Sequence, residues 1–279
     1  MAEWVQAWFH DLPRLAFNHD NLLYALLAFS GTQMLAEDPS VGFAQAEFWS
    51  IALREQRKAI AAPDHNVEAV SLAAYFIVMT GFGILRFRPL SPYSPPLHFF
   101  ELAQGAINLS PKIEEIQESS IILLATYKTL MPMWDSTLES NDETYQPILS
   151  FRLDEEQQSY GGDMATNLNT YKETLNLISR FRRSIVSRDP YYQHQRWIPV
   201  LAQAVPKHFL QLLRQERPRA LATLACFWTL LLSTDPLVLK SFGDTEGCIP
   251  KRELNAITQV LPSGWRAVLT QCSAEVDDS

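Results

Sequence analysis

Apolar residues along this chain recur at spacings of three and four rather than in alternation, the signature of helices with buried faces. The pattern predicts helices over Asp20 to Glu37, Val41 to Ala62, Val67 to Phe87, Pro95 to Leu109, Ile113 to Met131, Asp163 to Val186, His194 to Gln215, Pro218 to Leu232 and Pro250 to Leu269, with the last broken near Pro262. With only 10 glycines and no alternating stretch, the expected fold is all-α. It reads as a single bundle of roughly nine to eleven helices around an apolar central region. The bundle is expected over residues 1–270, with a polar tail at 271–279.

Three stretches lack a polar face: Leu22 to Phe29, Leu72 to Leu85 and Ala220 to Leu232. Such helices are either enclosed by others or line an apolar space. In the second, large side chains surround Ala73, Ala74, Gly81 and Gly83, which allows close helix contact or leaves room for a ligand. Tyr24, Phe76, Met79, Phe227 and Trp228 are the candidate walls of an apolar pocket, and Trp197, Phe227 and Trp228 carry π-faces that suit a cation. Core packing is the other role open to each. The apolar run from Ala220 is 13 residues long and contains Thr223 and Thr229. A spanning helix needs roughly 20, so no membrane span is expected.

Several helix ends carry their own signals. Ser40 is a candidate N-cap after Pro39, Asp64 or Asn66 suits the start of the helix from Val67, and Pro218 fits a first turn where its missing N–H costs nothing. The segment RPLSPYSPP, Arg88 to Pro96, must be a loop. Met131 to Pro147 is the second interruption; its acids Asp135, Glu139, Asp142 and Glu143 form either a solvated run or a cation-binding one.

Composition narrows the function. A net charge of -8 and an isoelectric point near 5.3 argue against direct nucleic-acid binding, which calls for a basic surface. Arg182, Arg183, Arg188 and Arg196 make a local basic patch too small to change that reading. Cys226, Cys248 and Cys272 are widely spaced and form no CxxC pair, so neither a zinc cluster nor a disulfide framework is expected. The N-terminal residues lack the basic and apolar regions of a secretory signal, and an intracellular location is expected.

Familiar catalytic signatures, GxSxG, GxxxxGK[ST], GxGxxG and HExxH, do not occur. Chemistry would have to sit at the rim of a pocket. Asp20, next to His19, begins one helix; Asp64, His65 and Glu68 begin another, with the two acids four residues apart. If those starts met, Asp20, Asp64 and Glu68 would offer oxygen ligands to Mg²⁺; otherwise they are capping acids that suit helix N-termini. Lys128, Lys172, Lys207 and Lys240 are the candidate cations for a diphosphate, with Lys240 the nominated one.

The order of segments adds a resemblance. LPRLAFNHDNLLYALLAFSGTQMLAEDP, AQAEFWSIALREQRKAI, HNVEAVSLAAYFIVMTGFGIL, FFELAQGAINL and RWIPVLAQAVPKHFLQLLRQERPRALATLACFWTLLL resemble successive parts of the regulatory domain that follows the binuclear zinc cluster in fungal transcription factors, from about Leu12 to Leu269. The resemblance implies an α-helical bundle, often a homodimer, that binds an apolar small molecule of the sterol or terpenoid class or a protein partner without a cofactor. It implies a nuclear location. The zinc-cluster segment that reads DNA in that family is not present in the sequence. The chain is also similar to fungal humulene-type sesquiterpene cyclases that lack the ordinary terpene-synthase motifs. That second likeness implies a cytoplasmic, Mg²⁺-dependent enzyme acting on farnesyl diphosphate, with the leaving diphosphate neutralised by metal and lysine.

Overall fold

A computed structural model describes residues 6–35, 37–109, 143–186, 197–233, 239 and 248–277. The protein is all-α, and among the described residues no strand occurs. The α-helices are α1 (Leu12–Ala16), α2 (Asp20–Met34), α3 (Gly42–Ala61), α4 (Val67–Gly83), α5 (Leu97–Ile107), α6 (Gln146–Ser150), α7 (Leu153–Tyr160), α8 (Met164–Val186), α9 (Trp197–Ala204), α10 (Lys207–Arg214), α11 (Pro218–Leu232), α12 (Cys248–Val260) and α13 (Ser263–Asp277). The helix expected over Ile113 to Met131 lies outside the described residues.

Local chemistry sets the boundaries. Asn66 caps α4, its side-chain oxygen accepting the Ala69 N–H at 2.8 Å. Pro218 sits in the first turn of α11, as its missing N–H favours. Ser40 does not cap α3. It lies inside a 3₁₀ turn, Pro39–Val41, and Asp38 is the capping residue, accepting the Ser40 N–H at 2.9 Å. The Ser40 hydroxyl and N–H together hold the Asp38 carboxyl below the usual carboxylate range. The segment His194 to Gln215 is not one helix either. Pro206 ends α9 and starts α10, because it lacks an N–H and forces the residue before it out of helical geometry. Pro262 separates α12 from α13 in the same way.

The apolar side chains gather into two clusters. The smaller joins α1, α2, α3 and one side of α4 through Leu12, Leu22, Ala25, Ala52, Leu72 and Phe76. The larger joins the other side of α4 to the helices that follow, with Val78, Phe82, Phe99, Leu201, Leu224 and Trp228 at its centre. Helix α4 thus belongs to both, which explains its missing polar face. Val67 to Phe87 is long and apolar enough by length and composition to cross a membrane, but 78% of an apolar 18-residue stretch within it is buried in the protein. Gly81 serves close contact: a Cβ there would stand 3.1 Å from Leu102 Cδ1 on α5.

Two buried ionic knots tie elements across the larger cluster. In the first, the Arg88–Pro96 loop is fixed to α12 by Arg88, whose Nε and Nη2 donate to the two Glu253 oxygens at 2.5 and 2.7 Å; the Tyr93 hydroxyl donates to the same carboxylate at 3.2 Å. Burial opposes the Arg88 charge, but the Glu253 partner more than offsets it and raises the guanidinium's pKa. In the second, Arg219 at the start of α11 is fully buried and donates to Glu156 Oε2 on α7 at 2.6 Å, to the Phe151 carbonyl at 2.6 Å and to the Ile148 carbonyl. Tyr171 on α8 donates its hydroxyl to Glu156 Oε1 at 2.9 Å. A cation at a helix N-terminus opposes the helix dipole; the Glu156 carboxylate offsets this.

Candidate functional site

Helices α8, α11 and α13 surround an open pocket with an empty volume of about 360 Å³, counting the solvent at its mouth. Cys226, Thr229 and Leu230 of α11 line it, with Ser233 just past the helix end; α13 adds Leu269 and Cys272, α8 adds Arg182, and the turn before α6 adds Tyr145. The spacing 226, 229, 230, 233 puts one helix face along the wall, and 269 and 272 do the same on α13. Leu230 and Leu269 make it apolar. The Thr229 hydroxyl donates to the Ala225 carbonyl at 3.0 Å and the Ser233 hydroxyl to the Thr229 carbonyl at 3.2 Å, which leaves their oxygens as acceptors.

The two thiols arrive from helices 46 positions apart in sequence, so no spacing rule could have paired them. Burial pushes the Cys226 thiol well above its ordinary pKa, and the neighbouring Cys272 adds to that. Cys226 therefore stays protonated and behaves as a small apolar wall group rather than a nucleophile.

The residues nominated from sequence lie elsewhere. Tyr24 and Phe76 belong to the smaller cluster, where Tyr24 meets Phe48 at 6.2 Å between ring centroids and Phe76 meets Trp8, Phe29 and Tyr75 at 5.5–6.1 Å. Met79, Phe227 and Trp228 belong to the larger one; Phe227 packs edge-on against Trp228 at 4.9 Å and against Phe100 at 5.5 Å. None of these five lines the pocket, although Phe227 and Trp228 sit between Cys226 and Thr229 in sequence.

Asp20 and Asp64 are exposed, and Glu68 is partly buried in the first turn of α4. All three lie at helix starts beside the smaller cluster. His19 precedes α2 without making a side-chain cap bond, and His65 Nδ1 lies 2.9 Å from the Ala62 carbonyl. Among the described residues no three His, Cys, Asp or Glu side chains gather as a metal site. Lys172 and Lys207 are exposed. Lys128, Lys240, Arg188, Arg196 and the acids Asp135, Glu139 and Asp142 lie outside the described residues.

Comparison of the chain with protein-family models, with curated proteins and with solved structures found no match in any of the three.

Proposed function

We propose that this protein is a ligand-binding regulatory module that takes a small, mostly apolar molecule into the pocket between α8, α11 and α13 and signals through a protein partner. The pocket's composition carries the reading: Leu230, Leu269 and the two buried thiols, Cys226 and Cys272, favour a hydrocarbon body, while Arg182 and Tyr145 place polar groups in its wall. The likeness of the helical segments to a fungal regulatory domain points the same way. DNA contact would then be the partner's task, consistent with a net charge of -8.

The same pocket would serve the second reading, a Mg²⁺-dependent sesquiterpene cyclase, with Arg182 meeting the diphosphate. Asp20, Asp64 and Glu68, at the starts of α2 and α4, do not gather as a metal site, so the Mg²⁺ of this reading would need other ligands. Calorimetric titration with farnesol separates the readings. Saturable binding that weakens about tenfold or more in Leu230→Trp, which fills the pocket, supports the module. No saturable binding of farnesol or of any sterol overturns it. A hydrocarbon product from farnesyl diphosphate and Mg²⁺, detected by gas chromatography, replaces it with the cyclase.

A further inference from the structure

The pocket between α8, α11 and α13 has one charged side chain among its lining residues, Arg182, and two aliphatic hydroxyls on one face of α11 and its end, Thr229 and Ser233. Where those hydroxyl protons point limits what the wall can recognise. A serine or threonine hydroxyl has one proton to give and lone pairs to accept with. Thr229 donates its proton to the Ala225 carbonyl at 3.0 Å, and Ser233 donates its own to the Thr229 carbonyl at 3.2 Å. Both follow the habit of helical serine and threonine, which donate one turn back along the chain.

The other direction open to the Thr229 proton is toward a wall of Leu230, Leu269 and the buried thiols Cys226 and Cys272. Leucine accepts no hydrogen bond and a thiol sulfur accepts only weakly, so the carbonyl keeps the proton and the oxygen lone pairs are what Thr229 offers a ligand. The two hydroxyls differ in their surroundings. Ser233 is exposed, and water competes for its oxygen; Thr229 is half-buried. A hydrogen bond sheltered from water is the stronger one, so the choice of ligand falls to Thr229.

We infer, resting on the reading of this pocket as a ligand site, that its occupant is an alcohol whose O–H donates to Thr229 Oγ1. A carbonyl, an ether or a carboxylate brings a second acceptor against Thr229 Oγ1 and finds no proton there. An ammonium could donate, but the single charged group among the lining residues, Arg182, is a cation and repels it. A hydroxyl is neutral, gives one proton to Thr229 and keeps lone pairs that a guanidinium in the same wall attracts. The hydrocarbon body of the alcohol lies against Leu230 and Leu269.

Calorimetric titration of the full chain with farnesol, and with three relatives that accept but cannot donate, farnesal, farnesyl methyl ether and farnesoate at neutral pH, tests the assignment. Farnesol should bind roughly threefold to tenfold more tightly than each relative, the difference that one hydrogen bond makes. Thr229→Val keeps the branched shape and removes the acceptor; it should weaken farnesol by the same factor and leave the methyl ether unchanged. Ser233→Ala should change neither. Any relative binding as tightly as farnesol overturns the assignment while the pocket remains a ligand site, and so does Thr229→Val if it spares farnesol or weakens farnesol and the ether equally. No binding by any of the four overturns it as well, and no binding by sterols in addition removes the ligand-site reading itself.

Discussion

The two buried ionic knots use the same three kinds of side chain and differ in charge balance. Around Glu253 there is one arginine and one tyrosine; around Glu156 there is one tyrosine, one fully engaged arginine, Arg219, and a second, Arg217, left at 3.9 Å. The first knot is neutral and complete, and it fastens a proline-rich loop to α12. The second carries an excess positive charge and joins α7, α8 and α11. A buried ion pair of matched charge contributes little net stability because desolvation offsets its attraction.

The largest effects should come from removing the carboxylates. Glu156→Gln leaves two buried guanidinium groups without a counter-ion and should cost about 3–5 kcal/mol in urea unfolding. Glu253→Gln leaves only Arg88, whose side chain is 17% exposed and reaches water, and should cost less, about 1–3 kcal/mol. Equal costs in the two variants would break the contrast.

Removing arginines should reverse the ranking. Arg88→Met strands the buried Glu253 carboxylate and should cost about 3 kcal/mol at neutral pH. Arg217→Met deletes only the surplus charge and should cost less than about 1 kcal/mol. Chemical denaturation at pH 7 compares the two.

The tyrosines should respond to alkali alike. Burial, reinforced by the neighbouring carboxylate, raises the pKa of both Tyr93 and Tyr171 above the ordinary tyrosine range. The unfolded chain loses these protons near pH 10 while the folded protein keeps them. Their contribution is therefore complete below about pH 10 and declines as pH rises beyond it. Tyr93→Phe and Tyr171→Phe should each flatten the fall in stability between pH 9 and pH 11, measured by circular dichroism.

The smallest expected effect concerns the bend that delivers Arg217. Helix α10 ends with Glu216 at φ +52°, its N–H donating to the Leu213 carbonyl and the Arg217 N–H to the Leu212 carbonyl, an arrangement that ordinarily uses glycine. Glu216→Gly should stabilise by up to about 1 kcal/mol, read as a rise in Tm, without altering the Arg217 contacts.

The helical class was legible because apolar spacing reports burial directly, and most expected helices lie close to where they form. The failures have physical causes. Pro206 interrupts an apolar pattern that periodicity alone carries straight through, and Asp38 displaced Ser40 because capping depends on where the turn begins. The pocket was hidden because Cys226 and Cys272 meet only through packing of α11 on α13. Glu156, Arg217 and Arg219 gave no burial signal, since charged residues are ordinarily on the surface. The one available hint was two arginines flanking Pro218 at the positive end of an apolar helix, where cations are disfavoured.

Helix α4 bears on how the protein comes apart. Ala69, Leu72, Ala73, Phe76 and Ile77 face one cluster while Ala74, Val78, Met79 and Phe82 face the other, so melting either cluster strips half of the wall from its neighbour. The two cannot loosen independently, and the chain should lose both in one cooperative transition, with hydrogen exchange along α4 the slowest and governed by global unfolding.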